Sequence, residues 1–395
     1  MKVTDVRSMR LTGLDTHGVG AKSRQWTIEL VRVDTDAGIY GLGEAGNVLG
    51  DREGIAYCRE WLLGRDPLAA GQFRRAMLYG GLPPFDPQMS PTATVTGGIV
   101  WAVSAVEMAL VDIAGKALGT PAYNLLGGAY RDSIRVYVDR SGVADPTNLD
   151  EWRRIGEQAR ADGFQDLKFD LEWIAPELSR DPWNRSARID QVNRTVERLT
   201  AVREAIGWDV EMALDGHMSF DVDTAVRFGR ALDPLRLRWF EDPVPILNFA
   251  AQAEVRRRVN IPICAGEMLV PDQFRDMIAA GAVDIVHPDV LFVGGLHEAR
   301  RVADLADLHG IPLALHNNGG AVTSLGAAHV AAASPNFIGL EWHFWGAMWM
   351  ADIIRREGVP FIRDGAIQLT DAPGLGIELE ESVVRAHLAP GESIF

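Results

Sequence analysis

The chain has 395 residues, 47% of them hydrophobic, and carries a formal net charge of −15. That length suffices for one large barrel domain with a smaller companion, and the acidic balance argues against nucleic acid or an anionic membrane surface as a partner. No apolar run approaches the roughly 18 residues of a membrane span, the opening Met1-Lys2-Val3-Thr4-Asp5 lacks a secretory apolar core, and Cys58 and Cys264 make no disulfide framework, so a soluble cytoplasmic protein is expected.

Residues 1 to about 45 read as antiparallel sheet. Thr27-Ile28-Glu29-Leu30-Val31-Arg32-Val33 alternates with the strand period, Asp36-Ala37-Gly38 offers a turn, and Ile39-Tyr40-Gly41-Leu42-Gly43-Glu44 returns. Residues 14–25 are polar and contain glycine, as a loop would. Helical patterns cover 52–63 and 67–79, and Gly80-Gly81-Leu82-Pro83-Pro84 then breaks structure. Residues 99–118, apolar nearly all round, read as a buried helix stopped by Gly119 and Pro121. A first barrel strand is placed at 133–137 and a second at 166–169. The connection from Asp170 to about Arg185 holds Trp173, Pro176, Pro182 and Trp183. A stretch of that length is uncommon without a role, and a lid, an oligomer contact or a plain insertion all remain open.

From residue 211 to 341 short apolar runs end repeatedly in a polar residue: Asp215, Glu241, Glu267, Asp289, His316 and Glu341. Successive spacings are 26, 26, 22, 27 and 25 residues, about one βα unit each. Short apolar runs alternating with helical patterns read as buried parallel strands, here strands three to eight of a (β/α)-barrel, whose C-terminal strand ends carry chemistry. Three consecutive acidic ends, Asp215, Glu241 and Glu267, aim three carboxylates into one mouth. Like charges that close raise one another's pKa unless a cation offsets them, and hard oxygen ligands suit Mg2+. Cys264 lies within the fifth strand and reads as a small core residue. His217 follows Asp215 by two positions, so the strand period points both side chains into the mouth. After Glu341 the chain reads as Trp-rich helix to about Arg356. Gly365-Ala366-Ile367-Gln368-Leu369 and Pro373-Gly374-Leu375-Gly376 are strand and turn chemistry, expected to return to the N-terminal sheet.

These residues resemble the enolase superfamily, in its mandelate racemase and muconate lactonizing branch, over nearly the whole chain. The likeness rests on Asp112-Ile113-Ala114-Gly115-Lys116-Ala117-Leu118-Gly119-Thr120-Pro121, on Leu125-Leu126-Gly127-Gly128, on Pro373-Gly374-Leu375-Gly376, and above all on the ordered strand ends. It implies an α/β fold: a modified (β/α)7β TIM-type barrel under an α+β capping domain formed from both termini. Residues 1–127 would be the N-terminal capping domain, 128–358 the barrel, and 359–395 the segment returning to the cap. It also implies chemistry, in which a base removes the proton next to a carboxylate to give an enediolate. Such a proton is too weakly acidic for an unaided side chain, but a cation on the carboxylate oxygens stabilises the developing charge.

By that resemblance Asp215, Glu241 and Glu267 hold one Mg2+ per chain. His316 is the base, Asp289 its dyad partner, and Glu341 hydrogen-bonds the enediolate or the substrate carboxylate. Many members carry Lys-x-Lys on the second strand, where this chain has Lys168-Phe169-Asp170. Lys168 matches the first lysine and would bind substrate carboxylate or tune a neighbour. Asp170 stands in place of the second, as a loop residue or a helper acid, which weakens any reading that needs two strong bases. His217 resembles the general acid of galactonate-type sugar-acid dehydratases. The chain is therefore expected to be a hydro-lyase converting an aldonic or aldaric acid to a 2-keto-3-deoxy acid. A sugar-acid epimerase, racemase or cycloisomerase through the same enediolate is the alternative, and a binder without turnover a distant third. His17, Arg140 and His343, with Asp170, are further substrate-binding candidates. The branch implies a homo-oligomer, from dimer to octamer.

Overall fold

The computed structural model describes residues 1–14, 25–46, 49–79, 98–140, 143–180, 183–343, 348–356 and 358–395. The N-terminal sheet has three antiparallel strands in the order β1 (Val3–Leu14), β2 (Gln25–Thr35) and β3 (Tyr40–Ala45). Against it pack α1 (Asp51–Leu62), α2 (Ala70–Leu78) and α3 (Gly98–Leu118). The expected helix at 67–79 starts later, at Ala70, and the expected break at 80–84 falls outside the described residues.

Two glycines set how close α3 lies to the sheet. A Cβ on Gly41 would stand 1.9 Å from the Ala109 carbonyl oxygen, and one on Gly43 1.8 Å from that of Ala105. Only glycine permits that approach. The alternating residues then face the other way, and Glu44 is carried toward the barrel. Helix α3 is the buried helix expected over residues 99–118. It has 21 residues and a window hydropathy of 1.6, enough by length and composition to cross a membrane. Here 83% of that window is buried within the fold, where Asp112 receives the N–H groups of Leu42 and Leu375.

The barrel strands are β4 (Ser133–Arg140), β5 (Asp166–Asp170), β6 (Glu211–Asp215), β7 (Phe240–Glu241), β8 (Ile263–Ala265), β9 (Ile285–Val286), β10 (Leu313–Leu315) and β11 (Phe337–Trp342). Consecutive strands pair in parallel, and β11 closes on β4 through Leu340↔Val136, Glu341↔Tyr137 and Trp342↔Val138. A helix crosses each connection: Leu149–Ala161, Ile189–Ile206, Val222–Leu232, Phe249–Arg258, Pro271–Ala279, Leu296–Leu308 and Ala321–Ala333. The strands are buried on both faces, hence their continuous apolar runs. Among the described residues between β11 and Arg356 stand the short helix Trp349–Asp352 and then Ile354–Arg355 in a strand, where one helix running to Arg356 was expected. The result is the (β/α)7β barrel that the resemblance implied.

The C-terminal segment departs from expectation in part. Ala366–Gln368 pairs antiparallel with β4 at Ser133, Ile134 and Arg135, not with the N-terminal sheet. The return is made further on: Leu388 bridges Leu11, and Ala389 N–H donates to the Arg10 carbonyl.

Candidate active site

Register builds the centre of the site. Asp170 pairs with Asp215 across β5 and β6, and Asp215 with Glu241 across β6 and β7. Glu267 follows β8 by two residues. Asp215, Glu241 and Glu267 each offer an oxygen, and those atoms lie within 4.8 Å of one another. All three residues are buried, and Glu267 Oε2 makes no hydrogen bond. Buried carboxylates so close repel, and an orphaned acceptor among them is what a cation would satisfy. Three oxygen donors suit a hard divalent ion with coordination positions left for water or substrate. The donor set therefore fits a divalent metal.

Lys168 supplies the fixed positive charge here. Its Nζ lies 2.9 Å from Glu241, 3.2 Å from Asp215 and 2.7 Å from Glu341. Burial opposes its charge, but Glu241, Glu341 and Asp215 raise it well above the usual lysine value. Burial also opposes the charge on Asp215, which Lys168 and His217 nonetheless hold well below the carboxylate range. Glu241 goes the other way, pushed up by burial and by Asp215.

His316 follows β10, and its Nδ1 lies 2.6 Å from Asp289 Oδ2. Asp289 also accepts the N–H groups of Leu291 at 2.6 Å and Asn318 at 3.1 Å. An acceptor at Nδ1 fixes that nitrogen as the donor and turns Nε2 to the mouth. There Nε2 stands 3.2 Å from Glu267 and 3.6 Å from Glu341. Burial disfavours the imidazolium, but Glu341, Glu267 and Asp289 together raise His316 to about 10.

At the opposite end of the carboxylate row, His217 Nε2 lies 3.1 Å from Asp215, and Nδ1 2.8 Å from Glu172. Burial lowers it, but Asp215, the Glu172 hydrogen bond and Asp170 push it up to about 12. His217 and Met218 both hold left-handed backbone, at φ 41° and 58°, which is uncommon outside glycine. Glu341 is the hub of the far wall. Its Oε1 meets His343 Nε2 at 3.2 Å, its Oε2 accepts from Tyr137 Oη at 3.2 Å, and His343 Nδ1 lies 3.1 Å from Asp139. Burial opposes its charge, yet Lys168, His316 and His343 hold it well below the usual range. His287 is wholly buried beneath, between Tyr137 Oη at 2.7 Å and Glu241 at 3.3 Å, and burial drives it well below its ordinary value.

The structure thus brings together Asp215, Glu241, Glu267, Asp289, His316, His217, Lys168, Glu341 and His343. Asp170 is the last residue of β5 and is buried, not a loop residue as read from the sequence. Burial and Asp139 raise its carboxyl well above the ordinary range. Arg140 ends β4, while His17 lies outside the described residues. The sequence reading missed Asp139, Glu172 and Asp242. Strand β4 runs three residues beyond the expected end at Tyr137, and counting on by two would have put Asp139 on the same face. Asp242 directly follows a ligand candidate and is wholly buried, its carboxyl raised well above the usual range by burial and Glu267. Glu172 follows the strand in a stretch without periodicity, so no pattern marked it.

Two further carboxylates come from the N-terminal region. Glu44 on β3 accepts the N–H groups of Gly320, Val322 and Thr323, at the start of the helix after His316. Glu107 on α3 accepts those of Leu296 and His297, at the start of the helix after Asp289. Both are wholly buried. A carboxylate at a helix N-terminus satisfies orphan donors and is favoured by the helix dipole. The N-terminal region thus grips the two units that carry the His–Asp pair.

A barrel of this closure, under a cap, with an ordered ring of acidic strand ends, defines the enolase superfamily, and comparison with known proteins agrees. Residues 152–383 match the family described as "Enolase C-terminal domain-like", and residues 16–127 "Mandelate racemase / muconate lactonizing enzyme, N-terminal domain". A D-xylonate dehydratase of Haloferax volcanii is 36% identical over 395 residues, covering 99% of this chain and 92% of that protein. A D-galactonate dehydratase of Verminephrobacter eiseniae is 29% identical, covering 95% and 94%. The crystal structure of a mandelate racemase/muconate lactonizing enzyme-like protein from Rubrobacter xylanophilus superposes with a TM-score of 0.88 at 36% identity, covering 100% of this chain and 99% of that one. The chain belongs to the mandelate racemase/muconate lactonizing branch of the enolase superfamily. Its relatives include acid-sugar dehydratases, and it is an enzyme of the hydro-lyase class.

Proposed function

We propose that the protein is a Mg2+-dependent acid-sugar dehydratase. One observation carries the reading: the carboxylate row is flanked by two imidazoles, His316 at the Glu267 end and His217 at the Asp215 end. A dehydration needs a base at one carbon and an acid at the next, and this arrangement offers both across one metal-sized gap.

Asp215, Glu241 and Glu267 would hold the ion. When bound, it supplies positive charge against the second negative charge that develops on the substrate carboxylate, and its field favours the neutral, basic form of His316. His316 Nε2 takes the C2 proton, and the bonding electrons pass into the carboxylate as an enediolate. As these return, the C3–O bond breaks and His217 donates a proton, so that water leaves. The enol that remains tautomerises to a 2-keto-3-deoxy acid. Glu341, held ionised, anchors Lys168 and His343 and so fixes the wall beside which the substrate carboxylate would lie. Lys168 is locked among carboxylates and Asp170 replaces the second lysine, so no second strong base faces the α carbon. That favours dehydration over racemisation.

The test is product analysis. Purified protein with Mg2+ is offered C4 to C6 sugar acids, D-xylonate first, and the products are treated with semicarbazide. A semicarbazone that disappears when metal is chelated is the expected result. An epimer without any keto acid, or turnover indifferent to chelation, would overturn the reading.

A further inference from the structure

The segment between β5 and the helix Ile189–Ile206 begins with the four-residue helix Leu171–Ile174. Leu171 and Ile174 are buried, and Arg198 Nη1 donates to the Ile174 carbonyl at 2.6 Å. Those anchors hold Glu172 between them. Its Oε2 meets His217 Nδ1 at 2.8 Å, on the side of the ring away from Asp215. The turn beneath His217 is fixed separately. His217 N–H donates to Asp215 Oδ1 at 2.8 Å, Met218 N–H to the Asp242 carbonyl at 2.6 Å, and Arg185 Nη1 to the Met218 carbonyl at 2.5 Å. Backbone bonds therefore set where the Cα of His217 stands, while Glu172 sets how the ring is turned. Both residues also line a cavity of about 660 Å³ that opens beside the mouth. A ring with one open side rotates away unless a partner holds it.

Resting on the dehydratase reading above, we propose that Glu172 is the positioning residue of His217, holding the ring so that Nε2 faces the departing hydroxyl. The turn Leu171–Ile174 would then be part of the active-site wall and not an incidental insertion. The bland alternative is an exposed ion pair, which contributes little to anything.

A ring misplaced by about an ångström loses proton transfer steeply, while proton removal at C2 by His316 is untouched. The experiment follows both steps on one substrate in D2O: deuterium incorporation at C2, and keto-acid formation. In Glu172→Ala, keto-acid formation should fall about tenfold or more while C2 exchange persists, so that the ratio of exchange to elimination rises by about that factor. Glu172→Gln keeps an oxygen acceptor for Nδ1–H and should return the ratio to within about threefold of wild type. His217→Asn is the control. If it raises the ratio and Glu172→Ala does not, the positioning role is wrong. If exchange and elimination fall together in Glu172→Ala, or Glu172→Gln behaves like the alanine variant, it is also wrong. If His217→Asn itself leaves the ratio unchanged, the fault lies with the assignment of His217 as the acid.

Discussion

His316 and His217 are each backed by a carboxylate, at 2.6 Å and 2.8 Å, yet the two pairs stand in opposite surroundings. His316 and Asp289 are buried, and the helices that follow them start on carboxylates sent over from the N-terminal region, Glu44 and Glu107. The His217 side chain is 34% exposed and Glu172 45%, and their support comes from a short segment of the barrel itself. The same imidazole–carboxylate device is thus built once into the body of the protein and once into its rim. Removing a proton from carbon is the harder step and demands fixed geometry. At the rim that geometry has to be held locally, and Glu172, 2.8 Å from His217 Nδ1, is the group placed to hold it.

Several substitutions would sharpen or break this contrast. The largest effect is expected from the row between the two pairs. Glu241→Gln removes one charge of the triad and should abolish detectable Mg2+ binding by calorimetry, with turnover falling by about a thousandfold or more. Retained tight binding would mean that the metal sits elsewhere.

Next comes the rim. His217→Asn should lower keto-acid formation by about a hundredfold or more while the protein stays as stable as wild type, because the change leaves the core intact. Steady-state turnover and a thermal melt on one preparation check both halves. A fall in stability of the same order as at a buried site would erase the contrast between the pairs.

The smallest effect on chemistry, and a clear one on stability, should come from Glu44. Glu44→Ala strands three N–H groups at a helix start and should cost about 2 kcal/mol in chemical denaturation. Burial pushes Glu44 up to about 7 from 4.5, against the N–H bonds that pull it down. The folded state therefore holds this proton more firmly than the unfolded chain. Its contribution is complete below about pH 4.5 and is lost as pH rises through about 7, by at most about 3 kcal/mol. Stability measured against pH should consequently fall for wild type relative to Glu44→Gln over that window. Parallel curves would show that Glu44 does not titrate there.

Much of this architecture was legible in the sequence because parallel strands buried on both faces write themselves as short apolar runs, and the residue ending each run lies at the mouth. Asp215, Glu241 and Glu267 could be placed together on that basis alone. The dyad of His316 and Asp289 needed the family resemblance, since β9 is only two residues long and Asp289 lies beyond it. Glu172 and Glu44 were illegible for different reasons. Glu172 works from a single four-residue helical turn, too short for a period to rank one acid above another. Glu44 lies on a sheet strand far from the barrel in sequence, and its role depends on a tertiary contact that Gly41 and Gly43 make possible. The strand at Ala366–Gln368 was assigned to the wrong sheet because its pattern shows that it pairs, not with what.

The most direct trial of the central claim is C2–hydrogen exchange in D2O by His316→Asn with Mg2+ and substrate present. Asn is smaller than His, but its side-chain N–H can replace Nδ1–H as the donor to Asp289, and it has no basic nitrogen. Mg2+ and sugar acid should still bind, and deuterium should not enter at C2. Exchange at the wild-type rate in that variant would mean that another group captures the proton, and the assignment of the buried pair as the base would fall.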